Sequence, residues 1–262
     1  MLLQEPGFTV ILKINYHIKT TIFRFLMNFK LIAKCLLIGF VHLQSIYSQE
    51  HTNAWLRSTL RLTLYHDKVY LDNEFQHRRQ NGFENNNPLD KSLLNSYRIW
   101  IHYQFNKNNK LSISPFSYFS SHPLIVEQKD EQANIRSEKR FALAYLWTPN
   151  LTTKVKFIAR TAIELRIFNN NFLFRTRYRF GLTYQPFEKM RFVFYGESFL
   201  HCPSGFENNI FDQLRTVAML ESKISNSLKI ELGFMSAFRQ STFNDAKWNE
   251  RNILAYLTYT IR

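Results

Sequence analysis

From Asn53 onward, apolar and polar side chains alternate with a period of two. That repeat belongs to strands, in which successive side chains leave opposite faces. In a first segment Leu56, Leu60, Leu62 and Leu64 alternate with Arg57, Thr59, Arg61 and Thr63. In a second, Val69, Leu71 and Phe75 alternate with Tyr70, Asp72, Glu74, Gln76 and Arg78. A third sets Tyr97, Ile99, Ile101, Tyr103 and Phe105 against Ser96, Arg98, Trp100, His102 and Gln104. A fourth begins at Leu111 and runs to about Phe119. The fifth opposes Phe141, Leu143, Tyr145 and Trp147 to Glu138, Arg140, Ala142 and Ala144. The sixth covers Val155 to Arg166, the seventh Phe172 to Tyr184 and the eighth residues 190–200. Three more lie at about 213–223, 228–240 and 251–261.

These segments, about 10 to 14 residues each, exceed the five or six of an ordinary soluble strand. They match a tilted strand crossing a bilayer, which needs about 9–11 residues. Short connections at His66-Asp67, Asn106–Asn109, Thr148–Thr152, Gln185–Lys189 and Ser225–Ser227 alternate with longer ones. The longer ones are Gln80–Leu93, Ser120–Ser137, His201–Asp212 and Ser241–Glu250, with Asn169–Asn171 the short member of that series. Short turns at one end and long loops at the other are the habit of transmembrane β-barrels. The fold expected is therefore all-β, an antiparallel up-and-down transmembrane β-barrel. Eleven segments are visible, whereas bacterial single-chain barrels ordinarily have an even number. The expectation is accordingly 10–12 strands, with one missed or the N-terminal region divided wrongly.

Composition supports strands: Phe occurs 25 times and Tyr 13 times, against seven Gly and seven Pro. The mean hydropathy of −0.29 argues against a helical membrane protein, but suits a barrel with one polar face. The formal charge is +14. The basic residues are spread along the strands and interleaved with Glu, without a Lys/Arg block, so nucleic acid is not the expected partner.

Upstream of the strands, Met27-Asn28-Phe29-Lys30 opens a basic stretch that reaches Lys34, and Cys35 to Val41 is almost wholly apolar. Residues 27–48 read as a signal peptide cleaved after Ser48. A buried helix is the competing reading of such a run, and the charge order of the flanks favours the signal. Met27 then stands as the start, residues 1–26 as a mis-annotated upstream extension, and 49–262 as the barrel domain. Removal of the signal takes Cys35 with it and leaves Cys202 alone, so no intrachain disulfide is expected.

The charged positions share one face by parity. They are Glu74, Arg78, Arg98, Glu138, Arg140, Arg160, Glu164, Arg166, Arg175, Arg177, Arg179, Arg191, Glu197, Arg215, Glu221, Glu231 and Arg239. Alternation alone does not say whether that face looks inward or outward. Strand length and the signal place it in the lumen of a membrane barrel. There the residues form either a ladder of cross-strand ion pairs that fills the lumen or the lining of a site for an anionic solute. Catalytic chemistry has weaker support. His102, His122, His201, Ser198 and Cys202 are present, but no recognisable spacing joins them and Gly-x-Ser-x-Gly is absent. No metal-ligand spacing stands out, and no cofactor is expected.

The strand at Trp55, Glu74 to Arg78, Glu138 to Arg140, Arg160 to Arg166, Arg175 to Arg179 and Glu197 to Phe199, taken in order, resemble domain-of-unknown-function family 2490. The resemblance covers nearly all of 53–262 and implies an outer-membrane β-barrel of the kind found in Bacteroidota-type bacteria. It implies no molecular activity. Such barrels often finish on an aromatic residue, whereas this chain ends Thr260-Ile261-Arg262. The function expected is a non-enzymatic outer-membrane barrel with an Arg/Glu-lined, occluded lumen, in a structural, narrow-channel or anionic-ligand-binding role. A lipid-modifying barrel enzyme is the alternative. Expected partners are outer-membrane lipid, the barrel-assembly machinery during insertion and a small anionic solute.

Overall fold

The computed structural model describes residues 49–65, 68–168, 171–202, 210–240 and 247–262. The expectations for 1–26 and 27–48 lie outside the described residues. Among the described residues eleven strands follow in order. They are β1 (Gln49–Tyr65), β2 (Val69–Gln80), β3 (Lys91–Asn106), β4 (Asn109–Ser121), β5 (Arg136–Trp147), β6 (Val155–Phe168), β7 (Asn171–Phe187), β8 (Met190–His201), β9 (Phe211–Lys223), β10 (Leu228–Gln240) and β11 (Lys247–Ile261). Each pairs with its sequence neighbours, and β1 pairs with β11 to close a barrel.

The strand count stays odd, and that determines how the barrel closes. Strands that alternate up and down put β1 and β11 in the same direction. Their pairing is therefore parallel, in register from Gln49–Trp248 to Leu62–Ile261. The expectation of a purely antiparallel sheet needs this one correction; every other pairing is antiparallel. Three strands also start well before their alternation suggests, β1 at Gln49, β3 at Lys91 and β11 at Lys247.

The two faces differ in kind. Phe174, Tyr178, Phe180, Leu232, Phe234 and Ile253 are exposed on the outside, while Glu164, Glu197 and Glu250 are almost wholly buried inside. This is the reverse of a water-soluble sheet protein. The lumen is not purely polar. Trp55, Val193, Val217, Met219, Met235, Leu254 and Tyr256 pack together within it. In β4 the inward set shifts from Ser112 and Ser114 to Ser117 and Phe119 across an irregularity in the β4–β5 register. An extra residue in one strand moves every later side chain to the other face, which a period-two reading of Leu111–Phe119 does not anticipate.

The up-and-down order brings the β2–β3, β4–β5, β8–β9 and β10–β11 connections, with the short β6–β7 link, to one end of the barrel and the remaining turns to the other. At the long-loop end, the segment between β4 and β5 carries a one-turn 3₁₀ helix, Gln128–Gln132. Gln80 pins this segment to the barrel: its Nε2 donates to the Pro123 carbonyl at 2.9 Å, and its Oε1 accepts the Ile125 N–H at 3.1 Å. Gln80, Asn53, Gln213, Asn252 and Glu250 are buried at this end.

Candidate functional site: the charged lumen

The site is built by cross-strand register. Glu164 on β6 lies opposite Arg175 on β7, and Arg179 on β7 lies opposite Glu197 on β8. On β8 and β9, Glu197 faces Arg215 and Arg191 faces Glu221. Opposite charges directly across a sheet attract, and like charges repel. Two carboxylates act as hubs. Glu164 accepts from Arg175 Nη2 at 2.5 Å and Arg177 Nη1 at 2.6 Å, with Arg98 at 3.9 Å. Glu197 accepts from Arg177 Nη2 at 2.9 Å and Arg179 Nη2 at 3.2 Å, with Arg160 at 3.6 Å. Arg177 thus bridges both hubs, which fixes its planar fork.

Two like-charged pairs that face each other in register are each bridged by a third residue. Arg140 lies opposite Arg166. Glu138 takes both, at 2.7 Å from Arg140 Nε and 2.5 Å from Arg166 Nε. Glu221 lies opposite Glu231. Lys229 reaches both, at 3.3 and 3.1 Å. Arg239 pairs with Glu250 at 2.5 Å, Glu74 is 3.7 Å from Arg57, and Arg191 contacts Glu221 at 2.7 Å. Arg78 and Arg215 instead lie against aromatic rings. All seventeen residues of the anticipated ladder are thereby placed, none of them exposed.

The ladder read from sequence omits members that the structure brings in. Arg61 pairs bidentately with Asp72 at 2.7 Å for both contacts. Both residues, like Arg57, have the inward parity of their strands, which was the available signal. Asp212 takes Arg175 Nη1 at 2.7 Å. Asp212 and Glu250 close the segments that the pattern gives as loops, where alternation assigns no face. Lys110 and Lys229 sit at strand starts, where alternation has barely begun.

Of the catalytic candidates, His102 lies in the lumen. Its Nδ1 is 2.7 Å from Ser112 Oγ, and its Nε2 is 3.2 Å from Asp72 Oδ2. The ring stacks on Tyr70 with centroids 4.5 Å apart. His201 is buried near Asp212, 3.8 Å away. His122 and Ser198 make no such constellation. Cys202 is a free thiol. Among the described residues no group of His, Cys, Asp or Glu could hold a metal ion.

A cavity of about 290 Å³ runs between these side chains. Ten Arg and two Lys line it against four carboxylates, Asp72, Glu74, Glu197 and Glu231. Trp55, Trp100, Phe119 and Phe199 form its apolar walls. A second space of about 460 Å³ lies at the short-turn end, lined by Arg191, Lys189, Lys223 and Arg262 among others. The two share Arg61, Lys229 and Thr258 in their walls.

No curated protein matches the chain. Among solved structures it is similar to a NanC porin determined in a rhombohedral crystal form. The identity is 8% and the TM-score 0.40, over 75% of this chain and 93% of that one. A family model described as "Protein of unknown function (DUF2490)" matches residues 52–248, from β1 into the start of β11. The match spans most of the barrel, and the chain belongs to the DUF2490 family.

Proposed function

We propose that this chain is a non-enzymatic outer-membrane β-barrel, exported through residues 27–48, whose narrow and largely occluded lumen takes small anionic solutes. The observation that carries the reading is the inverted distribution of side chains. Large apolar residues such as Phe180, Phe194, Leu232 and Phe234 are at least half exposed on the outer face. Buried ion pairs occupy the inside. An outer surface of this kind is a liability in water and a match for hydrocarbon.

The anionic part of the proposal rests on the cavity lining, where Arg and Lys outnumber carboxylates twelve to four; a surplus of cations remains when Glu138, Glu164, Asp212 and Glu221, which pair with lining residues from behind, are included. In a water-poor lumen that surplus favours anions. The hubs at Glu164 and Glu197 tie strands β3, β6, β7 and β8 together across the space a solute would cross. Planar-bilayer recording tests this. The expected result is a small, anion-selective current that grows in the double variant Glu164→Gln/Arg177→Gln. A large, steady conductance in the unaltered protein would exclude occlusion. Membrane fractionation tests location: the protein should pellet with outer membranes and resist carbonate extraction.

The Asp72–His102–Ser112 chain is the observation that favours a second reading, a hydrolase. A working triad needs a carboxylate free to support the histidine and a donor for the oxyanion. Here Asp72 is held bidentately by Arg61. His102 and Ser112 face each other within the paired β3–β4 ladder, where backbone N–H groups serve the sheet. We read the chain as a relay that orders the lumen. Ester hydrolysis abolished by His102→Ala would favour the enzyme instead.

A further inference from the structure

Most guanidinium groups in the lumen meet a carboxylate. Arg78 on β2 and Arg215 on β9 make no ion pair within 4 Å among the described residues, although Arg215 lies opposite Glu197 in register, whose carboxylate turns to Arg177 and Arg179. Arg78 and Arg215 are 7% and 9% exposed, and the Nε of each lacks a hydrogen-bond partner. Both lie against Trp55, with Arg78 Cζ 3.3 Å and Arg215 Cζ 5.3 Å from the ring centroid. Arg215 is also 4.4 Å from the centroid of Phe199. All four residues line the 290 Å³ cavity. Aromatic faces offset part of the cost of desolvating a cation. They do not replace an anion, and two like charges on one ring raise the cost further.

The nearest acidic hubs are already committed. Glu164 serves Arg175 and Arg177, Glu197 serves Arg177 and Arg179, and Glu250 serves Arg239. We propose that Arg78 and Arg215, held against Trp55, form the seat of an exchangeable small oxyanion, a carboxylate or a phosphate. This deepens the anionic-solute reading above and rests on it. Two guanidinium forks suit an oxyanion, whose two or three oxygens accept in their planes. The cavity lies at the small end of ligand sites, about 300–1,000 Å³, so the solute is small. The cavity shares Arg61 and Lys229 in its wall with the space at the short-turn end.

The test uses the folded barrel in detergent micelles at constant ionic strength. Sodium phosphate and sodium acetate are titrated separately against a sodium chloride background, and the unfolding temperature is followed. One of the two anions should raise it saturably, and the tighter one identifies the group. Arg215→Gln and Arg78→Gln should each weaken that response by about tenfold or more, as expected for losing a charged hydrogen-bond partner. Neither should lower the unfolding temperature without ligand, because each removes an unneutralised buried cation.

Three results would overturn the seat. One is a marked ligand-free destabilisation in both variants, meaning that the protein itself already neutralises these arginines. Another is binding that survives both changes and is lost in Arg160→Gln, which leaves the anionic lumen standing and moves the site elsewhere in it. The third is no saturable response in the unaltered protein. Anion-selective bilayer currents alongside that silence would leave the general reading intact, and their absence would end both.

Discussion

Glu164 should be the most sensitive single position in the lumen. It is fully buried and accepts from Arg175 Nη2 at 2.5 Å and Arg177 Nη1 at 2.6 Å. At these separations each attraction is worth about 6 kcal/mol gross at an effective dielectric of about 20. Desolvation of the three ions takes back several kcal/mol per ion. Glu164→Gln keeps the shape and one acceptor oxygen, but leaves two buried guanidinium groups short of their counter-charge. The loss expected from removing one partner of a buried pair is about 3–5 kcal/mol. Urea unfolding in liposomes, read by the heat-modifiable gel mobility of the barrel, measures it. Glu188→Gln, on the exposed turn between β7 and β8, should be close to neutral. The double variant Glu164→Gln/Arg177→Gln should lose less than the sum of its parts, because the charge stranded by the first change is removed by the second. A Glu164→Gln protein within about 1 kcal/mol of the unaltered one would refute the idea that this carboxylate holds β6 and β7 together.

Phe180, exposed at mid-strand on the outer face of β7, should tolerate charge poorly. Phe180→Arg is expected to cost about 2–4 kcal/mol if it lies at the bilayer midplane, and Phe187→Arg at the strand end about 0–1; folding yield into liposomes should rank them so, and the reverse ranking would mean that Phe180 does not lie near the midplane. Gly181→Val should block assembly more than its size suggests. A Cβ at this position collides with the Phe194 carbonyl oxygen and comes within 2.5 Å of Tyr195 Cβ; normal insertion of that variant would show that β7 and β8 have room to part. Arg61→Gln should release Asp72 from its bidentate partner and shift the His102 imidazole signals, since His102 is the other group within reach of that carboxylate. An unchanged histidine would show that Arg61 does not control that relay.

How much of the site could be read from the chain follows from where parity holds. Between irregularities, as from Phe172 to Tyr184, each position's face follows from its neighbour's, and the outward Phe174, Tyr178 and Phe180 separate from the inward Arg175, Arg177 and Arg179. Parity fails where the chain gains a residue or where a strand ends. The β4 irregularity turned Ser117 and Phe119 inward against the earlier rhythm. Asp212 and Glu250 were hidden because the strand boundaries fell beside them. Inward apolar residues such as Met219, Met235 and Leu254 were equally hard to foresee, since an apolar side chain suits either face of a barrel.

The sequence by itself determined the local geometry: strands long enough to span a bilayer, one face charged and one apolar, and short turns alternating with longer loops. These depend on neighbours along the chain, and a period of two is a local property. The tertiary structure alone decided how eleven strands close, because closure pairs β1 with β11, from opposite ends of the barrel sequence. It also decided which charges meet. Glu138 between Arg140 and Arg166, Lys229 between Glu221 and Glu231, and Arg177 between Glu164 and Glu197 are matters of register and curvature. So is the exception: Arg78 and Arg215 come from distant strands and read in sequence like every other lumen arginine, yet the fold brings both to Trp55 and into no ion pair among the described residues.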